Sequence, residues 1–226
     1  GAFKTFTKGK LVAGGWISAI IPMLIVPYYC VIGGWVIKYL VGFASGNVES
    51  MATDTFFSEF VAAPVEPVIW LMVFVLLTFM VVIFGVEKGV ERISKILMPV
   101  LIVLAIIICI YSVTRPGALE GVKYYLIPDF SKFSVMTVVA AMGQMFYSLS
   151  IAMGILITYG SYMKKEVNME SSIKQVEVVD TLVAILAGLM IIPAVFAFSN
   201  GDPDTLNAGP SLMFITIPKV FESMGM

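Results

Sequence analysis

The chain has 226 residues, of which 59% are hydrophobic and 13% charged, and the charged share is about half that of soluble domains. A mean hydropathy of +0.98 with a net charge of −1 excludes a soluble core, and the lack of a basic stripe excludes a nucleic-acid binder. Histidine is absent, which removes imidazole-dependent acid–base chemistry and the usual imidazole metal sites.

Charge-free apolar runs predict one all-α, polytopic membrane domain over residues 1–226. Its spans lie at about 11–41, 68–85, 96–113, 135–163 and 176–199, with 200–226 as an extracellular loop. Each run is near the roughly 20 residues a crossing needs or longer. Continuous apolarity argues for helices rather than the alternation of barrel strands. Residues 1–10 lead straight into the first run, so no signal peptide is expected, and a first residue other than Met is expected of a fragment. The two cysteines, Cys30 and Cys109, fall inside apolar runs and are too few for a disulfide framework.

The first run contains Pro22 and Pro27, and internal prolines free the carbonyls four residues before them. Tyr28 and Tyr29 follow, deep in the run, where a tyrosine hydroxyl must find protein, ion or ligand. The loop at 43–67 carries Glu49, Asp54, Glu59 and Glu66 and predicts a short helix around 53–60. In the loop at 86–95 each base has an acid beside it or one turn away, which predicts a short surface helix. At 114–134, Tyr124 and Tyr125 suit the interfacial belt.

The fourth run holds GQMFYSLSIAMGILITYGSY at 143–162. It lies within a charge-free interval of 31 residues, 133–163, with Ser148 at its midpoint. As one straight helix the interval would reach roughly 46 Å, against a hydrocarbon core of about 30 Å. Either the helix tilts and its serines bond back to their own carbonyls, or it breaks at the midplane and turns freed backbone groups toward a ligand or ion. Gln144 and Ser148 share one face of an intact helix and, with Ser150, suit either interhelical hydrogen bonds or a site. Asp180 opens the fifth run as an acid inside a span, or as a cytoplasmic helix edge complementing the dipole. The tail starts with the turn-rich NGDPDTLNAGP and continues as the amphipathic SLMFITIPKVFESMGM, too short and too charged to span.

Orientation follows from the bases. Lys4, Lys8, Lys10, Lys88, Arg92, Lys95, Lys164, Lys165 and Lys174 lie on one side, and Lys38, Arg115, Lys123, Lys132 and Lys219 on the other. The richer side is predicted cytoplasmic, with the chain's N-terminus inside and its C-terminus outside.

The motifs IVPYYCVIGGW, GVERISKILMPVL, YYLIPDFSKF, GQMFYSLSIAMGILITYGSY, DTLVAILAGLMIIPAVFAF and GPSLMFITIPKVF occur in that order across nearly the whole chain. Together they resemble the neurotransmitter:sodium symporter family, in its bacterial LeuT-type amino-acid transporters. The resemblance implies a central fragment of an inverted-repeat fold, family helices 3 to 7 plus the following extracellular loop, whose other helices are partners. It implies sodium-coupled amino-acid symport by alternating access in the cell (inner) membrane, and no enzymatic activity. A non-transporting helical scaffold is the alternative reading of the same hydroxyls and acid.

By position in these motifs, Tyr29 matches the tyrosine that binds the substrate carboxylate, and Ile25 a pocket wall. Tyr147 matches the aromatic gate, and Ser150 and Met153 the unwound segment lining the side-chain pocket. Ser148 and Asp180 match ligands of the first sodium site, and Gln144 the glutamine near the chloride site of chloride-dependent members. At Asp180 many members carry asparagine, and the alignment leaves a one-residue choice with Val179, which has no ligating side chain. The resemblance implies sodium as the coupling ion, and a fixed charge at Asp180, with Ala184 in place of a serine, implies that chloride is not required.

Overall fold

The structure, a computed structural model, describes residues 2–8, 11–53, 55–164, 166–198 and 210–224. Asp54, Lys165 and the turn-rich start of the tail at 200–209 lie outside the described residues. Among the described residues there is no strand.

The helices run in order as α1 (Ala2–Phe6), α2 (Val12–Ala44), α3 (Val48–Met51), α4 (Phe56–Ala62) and α5 (Glu66–Ile83). A π-helical turn over Val86–Glu91 leads into α6 (Arg92–Val113), followed by α7 (Ala118–Leu126) and a 3₁₀ turn at Phe130–Lys132. Then come α8 (Val135–Ser148), α9 (Ile155–Tyr162), α10 (Met169–Phe198) and α11 (Pro210–Ser223). Four helical segments, Val12–Ala44, Glu66–Ile83, Lys88–Val113 and Met169–Phe198, are long and apolar enough to cross a membrane. Residues 135–163 form no single helix, because α8 and α9 are separated at 149–154.

The chain groups into two units. One comprises Gly1–Tyr28 and Asp129–Val183, the other Tyr29–Pro128 and Ala184–Met226.

The second unit holds most of the buried side chains. Ile108, Cys109, Met190, Ala194, Ile217 and Val220 form one apolar cluster where α6, α10 and α11 meet. Tyr39, Met51 and Phe214 form another, edged by Trp35 and Phe57. Phe57 stacks on Phe214 with centroids 5.5 Å apart, and Trp35 meets Phe214 edge-on at 5.7 Å. Both geometries suit aromatic quadrupoles. Lys38 pairs with Glu66 and lies 5.8 Å from the Trp70 ring, so a cation inside a hydrophobic span is doubly compensated.

Glycines allow close helix approaches. A Cβ on Gly34 of α2 would stand 2.7 Å from the Leu71 backbone nitrogen of α5, and one on Gly121 of α7 would stand 2.8 Å from the Pro193 Cα of α10. By contrast α5 has no buried residue at all. Its apolar surface is what a helix facing lipid or further helices presents.

In the first unit, α8 starts with a reciprocal cap. Ser134 Oγ accepts from the Thr137 N–H at 3.3 Å, while the Ser134 N–H donates to Thr137 Oγ1 at 3.2 Å. This satisfies two otherwise orphaned donors and fixes where the fourth run becomes helical.

Candidate functional site

The helix of the fourth run ends at Ser148 through a specific hydrogen-bond pattern. The Ser150 N–H donates to the Tyr147 carbonyl at 3.1 Å, and the Ile151 N–H reaches back to the Phe146 carbonyl at 2.9 Å. That pair of bonds is a Schellman termination, which requires a left-handed residue at the position Ser150 occupies. Glycine usually stands there, but here Ser150 takes φ +54°, Ala152 follows at +67° and Gly154 at +72°.

Non-glycine residues in this region each cost on the order of 1–2 kcal/mol. Two of them within three positions is local strain held by the surroundings, and such strain gathers at functional sites. The chain re-enters helix after Gly154, whose carbonyl accepts from the Thr158 N–H at 3.0 Å. No side chain caps the first turn of α9.

At the end of α8, Ser148 Oγ lies 2.9 Å from both Asp180 Oδ1 and Oδ2. A hydroxyl has one proton, so it is shared between the two oxygens, and the carboxylate keeps lone pairs for a further partner. Asp180 is half-buried and is the twelfth residue of α10. Complementing a helix dipole acts within the first turn, so that role does not account for it. One hydroxyl and two carboxylate oxygens together make a donor set suited to a hard cation.

Tyr147, Ser150 and Met153 lie along the same break, Tyr147 exposed and the other two half-buried. Gln144 sits one turn before Ser148 on α8, on its exposed surface. Ile25 is a half-buried residue of α2 in the same unit. Tyr29, half-exposed, belongs to the second unit, so the first unit alone does not hold every residue that the motifs single out.

Sequence reasoning missed Ser18. It is 8% exposed, and a Cβ on Gly154 would stand 3.4 Å from its carbonyl oxygen, so the α2 backbone lies against the break. The signal was present in Pro22. A proline has no N–H to give to the carbonyl four residues earlier, and that carbonyl is Ser18's.

With this geometry in hand, the chain can be compared with known proteins. Residues 58–226 match the model of the sodium:neurotransmitter symporter family. The chain is 37% identical over 213 residues to the uncharacterized sodium-dependent transporter YhdH of Bacillus subtilis (strain 168), covering 93% of this chain and 46% of that protein. It is 36% identical to an uncharacterized sodium-dependent transporter of Haemophilus influenzae, covering 98% and 50%. The sodium-dependent serotonin transporter of Drosophila melanogaster is 31% identical over 169 residues, covering 71% of this chain and 27% of that protein.

Among solved structures, that of MhsT in complex with L-phenylalanine superposes with a TM-score of 0.88 at 40% identity, covering 98% of this chain and 50% of MhsT. The chain thus spans about half the length of these bacterial relatives. The fold is the all-α, polytopic LeuT type, and its relatives are transporters rather than enzymes. The chain belongs to the sodium:neurotransmitter symporter family.

Proposed function

We propose that this chain forms the central part of a sodium-coupled amino-acid symporter that works by alternating access, together with the family's remaining helices. The observation that carries the reading is the strained break at 149–154, with Ser148 Oγ 2.9 Å from both carboxylate oxygens of Asp180. Sodium is held there by Ser148 and Asp180. Tyr29 binds the substrate carboxylate, and Ile25, Tyr147, Ser150 and Met153 line the pocket for its side chain.

The apolar and aromatic character of Ile25, Tyr147 and Met153 favours an apolar or aromatic amino acid. The L-phenylalanine named for MhsT supports the same class. Coupling is electrostatic, since a substrate carboxylate beside the ion stabilises it and the ion in turn stabilises the substrate. Alternating access then moves one group of helices against another around a site at the midplane.

Because Asp180 brings its own negative charge, the ion site is balanced without chloride, and Gln144 coordinates no anion. The distribution of bases supports a cytoplasmic N-terminus and an extracellular C-terminus for this chain in the cell membrane.

The test is amino-acid binding to the transporter carrying its full set of helices, in sodium and in potassium. Binding is expected to be strong in sodium and weak in potassium. Equal binding in both would overturn the sodium-symport reading. Replacing chloride with gluconate is expected to leave uptake unchanged, and a loss would overturn the charge-balancing role of Asp180.

A further inference from the structure

We infer that the junction between α5 and α6 holds the phosphate headgroup of an anionic phospholipid. The site lies in the second unit, whereas Ser148 and Asp180 belong to the first, and it does not depend on their assignment to sodium.

The junction is shaped by two glycines. Gly85 leaves α5 at φ +79°, ψ −176°, a conformation that only glycine adopts readily. A Cβ on Gly89 would overlap the Val81 carbonyl, so a side chain there would prevent the π-helical turn from folding back on the end of α5. Folding back in this way gathers Lys88, Arg92 and Lys95 with Phe84 around one shallow groove.

Lys95 is tied to Glu91 at 2.6 Å. Among the described residues neither Lys88 nor Arg92 forms an ion pair. Both are exposed, so among the described residues the groove presents two cations without an ion pair and a third that is shared.

What flanks the groove identifies the occupant. Ile83 and Phe84 at the end of α5 are 63% and 69% exposed, and Ile96 and Leu97 at the start of α6 are 62% and 58% exposed. These residues lie at the ends of two segments that are long and apolar enough to cross a membrane. The cations therefore sit where an apolar span meets the headgroup layer, on the side whose excess of bases predicts the cytoplasm. A soluble anion would pair with Lys88 and Arg92 without using the apolar collar beside them. An anionic phospholipid satisfies both, with its phosphate on the cations and its chains along Ile83 and Ile96.

The experiment places the complete transporter in phosphatidylcholine nanodiscs doped with phosphatidylglycerol, without sodium or substrate, and counts retained lipids by native mass spectrometry. Phosphatidylglycerol is expected to be retained over phosphatidylcholine. In Lys88→Gln/Arg92→Gln the preference should fall about fivefold for each cation removed. The charge-preserving Lys88→Arg/Arg92→Lys variant should keep it, which also separates loss of the site from loss of the fold. The control Lys4→Gln/Lys174→Gln, which removes two exposed bases elsewhere on the predicted cytoplasmic side, should change it much less.

Retention unaltered in Lys88→Gln/Arg92→Gln, or lowered equally by the control, would overturn the site. Release of phosphatidylglycerol by inorganic phosphate at constant ionic strength would overturn the lipid assignment in favour of a soluble anion.

Discussion

The helix α2 contains two prolines and runs unbroken for 33 residues, whereas the run from α8 to α9 contains none and breaks at 149–154. Local helix-breaking chemistry would place the interruption in the wrong run. In α2 each proline removes one backbone donor, and the helix nonetheless runs through both. Gly34 brings its second half against the α5 backbone at Leu71, and Gly33 makes room for the Phe74 ring. In the fourth run the sequence permits a break through Gly154, and the surroundings impose it on Ser150 and Ala152, which have no intrinsic preference for φ above zero. An interruption that costs energy at two residues and begins beside a carboxylate fits the ion site proposed above.

This contrast can be attacked from both sides. The largest effect on stability is expected for Gly34→Ala. Its Cβ would meet the Leu71 backbone at 2.7 Å, which cannot move aside as a side chain tip can, and the variant should lose about 3 kcal/mol. Detergent-solubilised melting would show it, and a wild-type melt would mean that α2 does not depend on α5.

Gly154→Ala should cost about 2 kcal/mol, because it puts a Cβ at φ +72° and against the Ser18 carbonyl. Ala152→Gly should do the reverse and stabilise by about 1 kcal/mol, while weakening substrate binding if the strain orders the pocket. A destabilised Ala152→Gly would mean that the break carries no strain. Smallest is Pro22→Ala, which returns an intrahelical donor to the Ser18 carbonyl. Its stability should stay within about 1 kcal/mol of wild type, and a larger loss would show that the proline ring itself packs α2.

Much of this contrast can be read in the sequence, and the parts that cannot have physical causes. That the fourth run must either tilt or break follows from a charge-free interval too long for one straight crossing, with Ser148 at its centre, and only the family resemblance favours the break. The amphipathic α11 and the short helix at Phe56–Ala62 follow from local pattern in the same way.

The exact termination was not legible, because the left-handed position of the Schellman pattern is filled by serine rather than glycine. The pairing of Ser148 with Asp180 joins residues 32 apart, and in the sequence it came only through family resemblance. The turn at Val86–Glu91 was expected as an ordinary surface helix. Its π geometry depends on the fit of Gly89 against Val81, a tertiary fact. Ser18 was missed because its role rests on a carbonyl freed by a proline four residues later and on a neighbour that is remote in sequence.

The central claim is that the break exists to hold a cation between Ser148 and Asp180. Its most direct test is a sodium titration of amino-acid binding in the complete transporter, for wild type, Ser148→Ala and Asp180→Ala. Loss of a charged hydrogen-bonding partner is worth about 1.5–3 kcal/mol, and loss of the hydroxyl about 1 kcal/mol. The sodium midpoint should therefore rise on the order of 10–100-fold in Asp180→Ala and about fivefold in Ser148→Ala, with melting temperatures little changed. Midpoints that coincide with wild type in both variants would contradict the account.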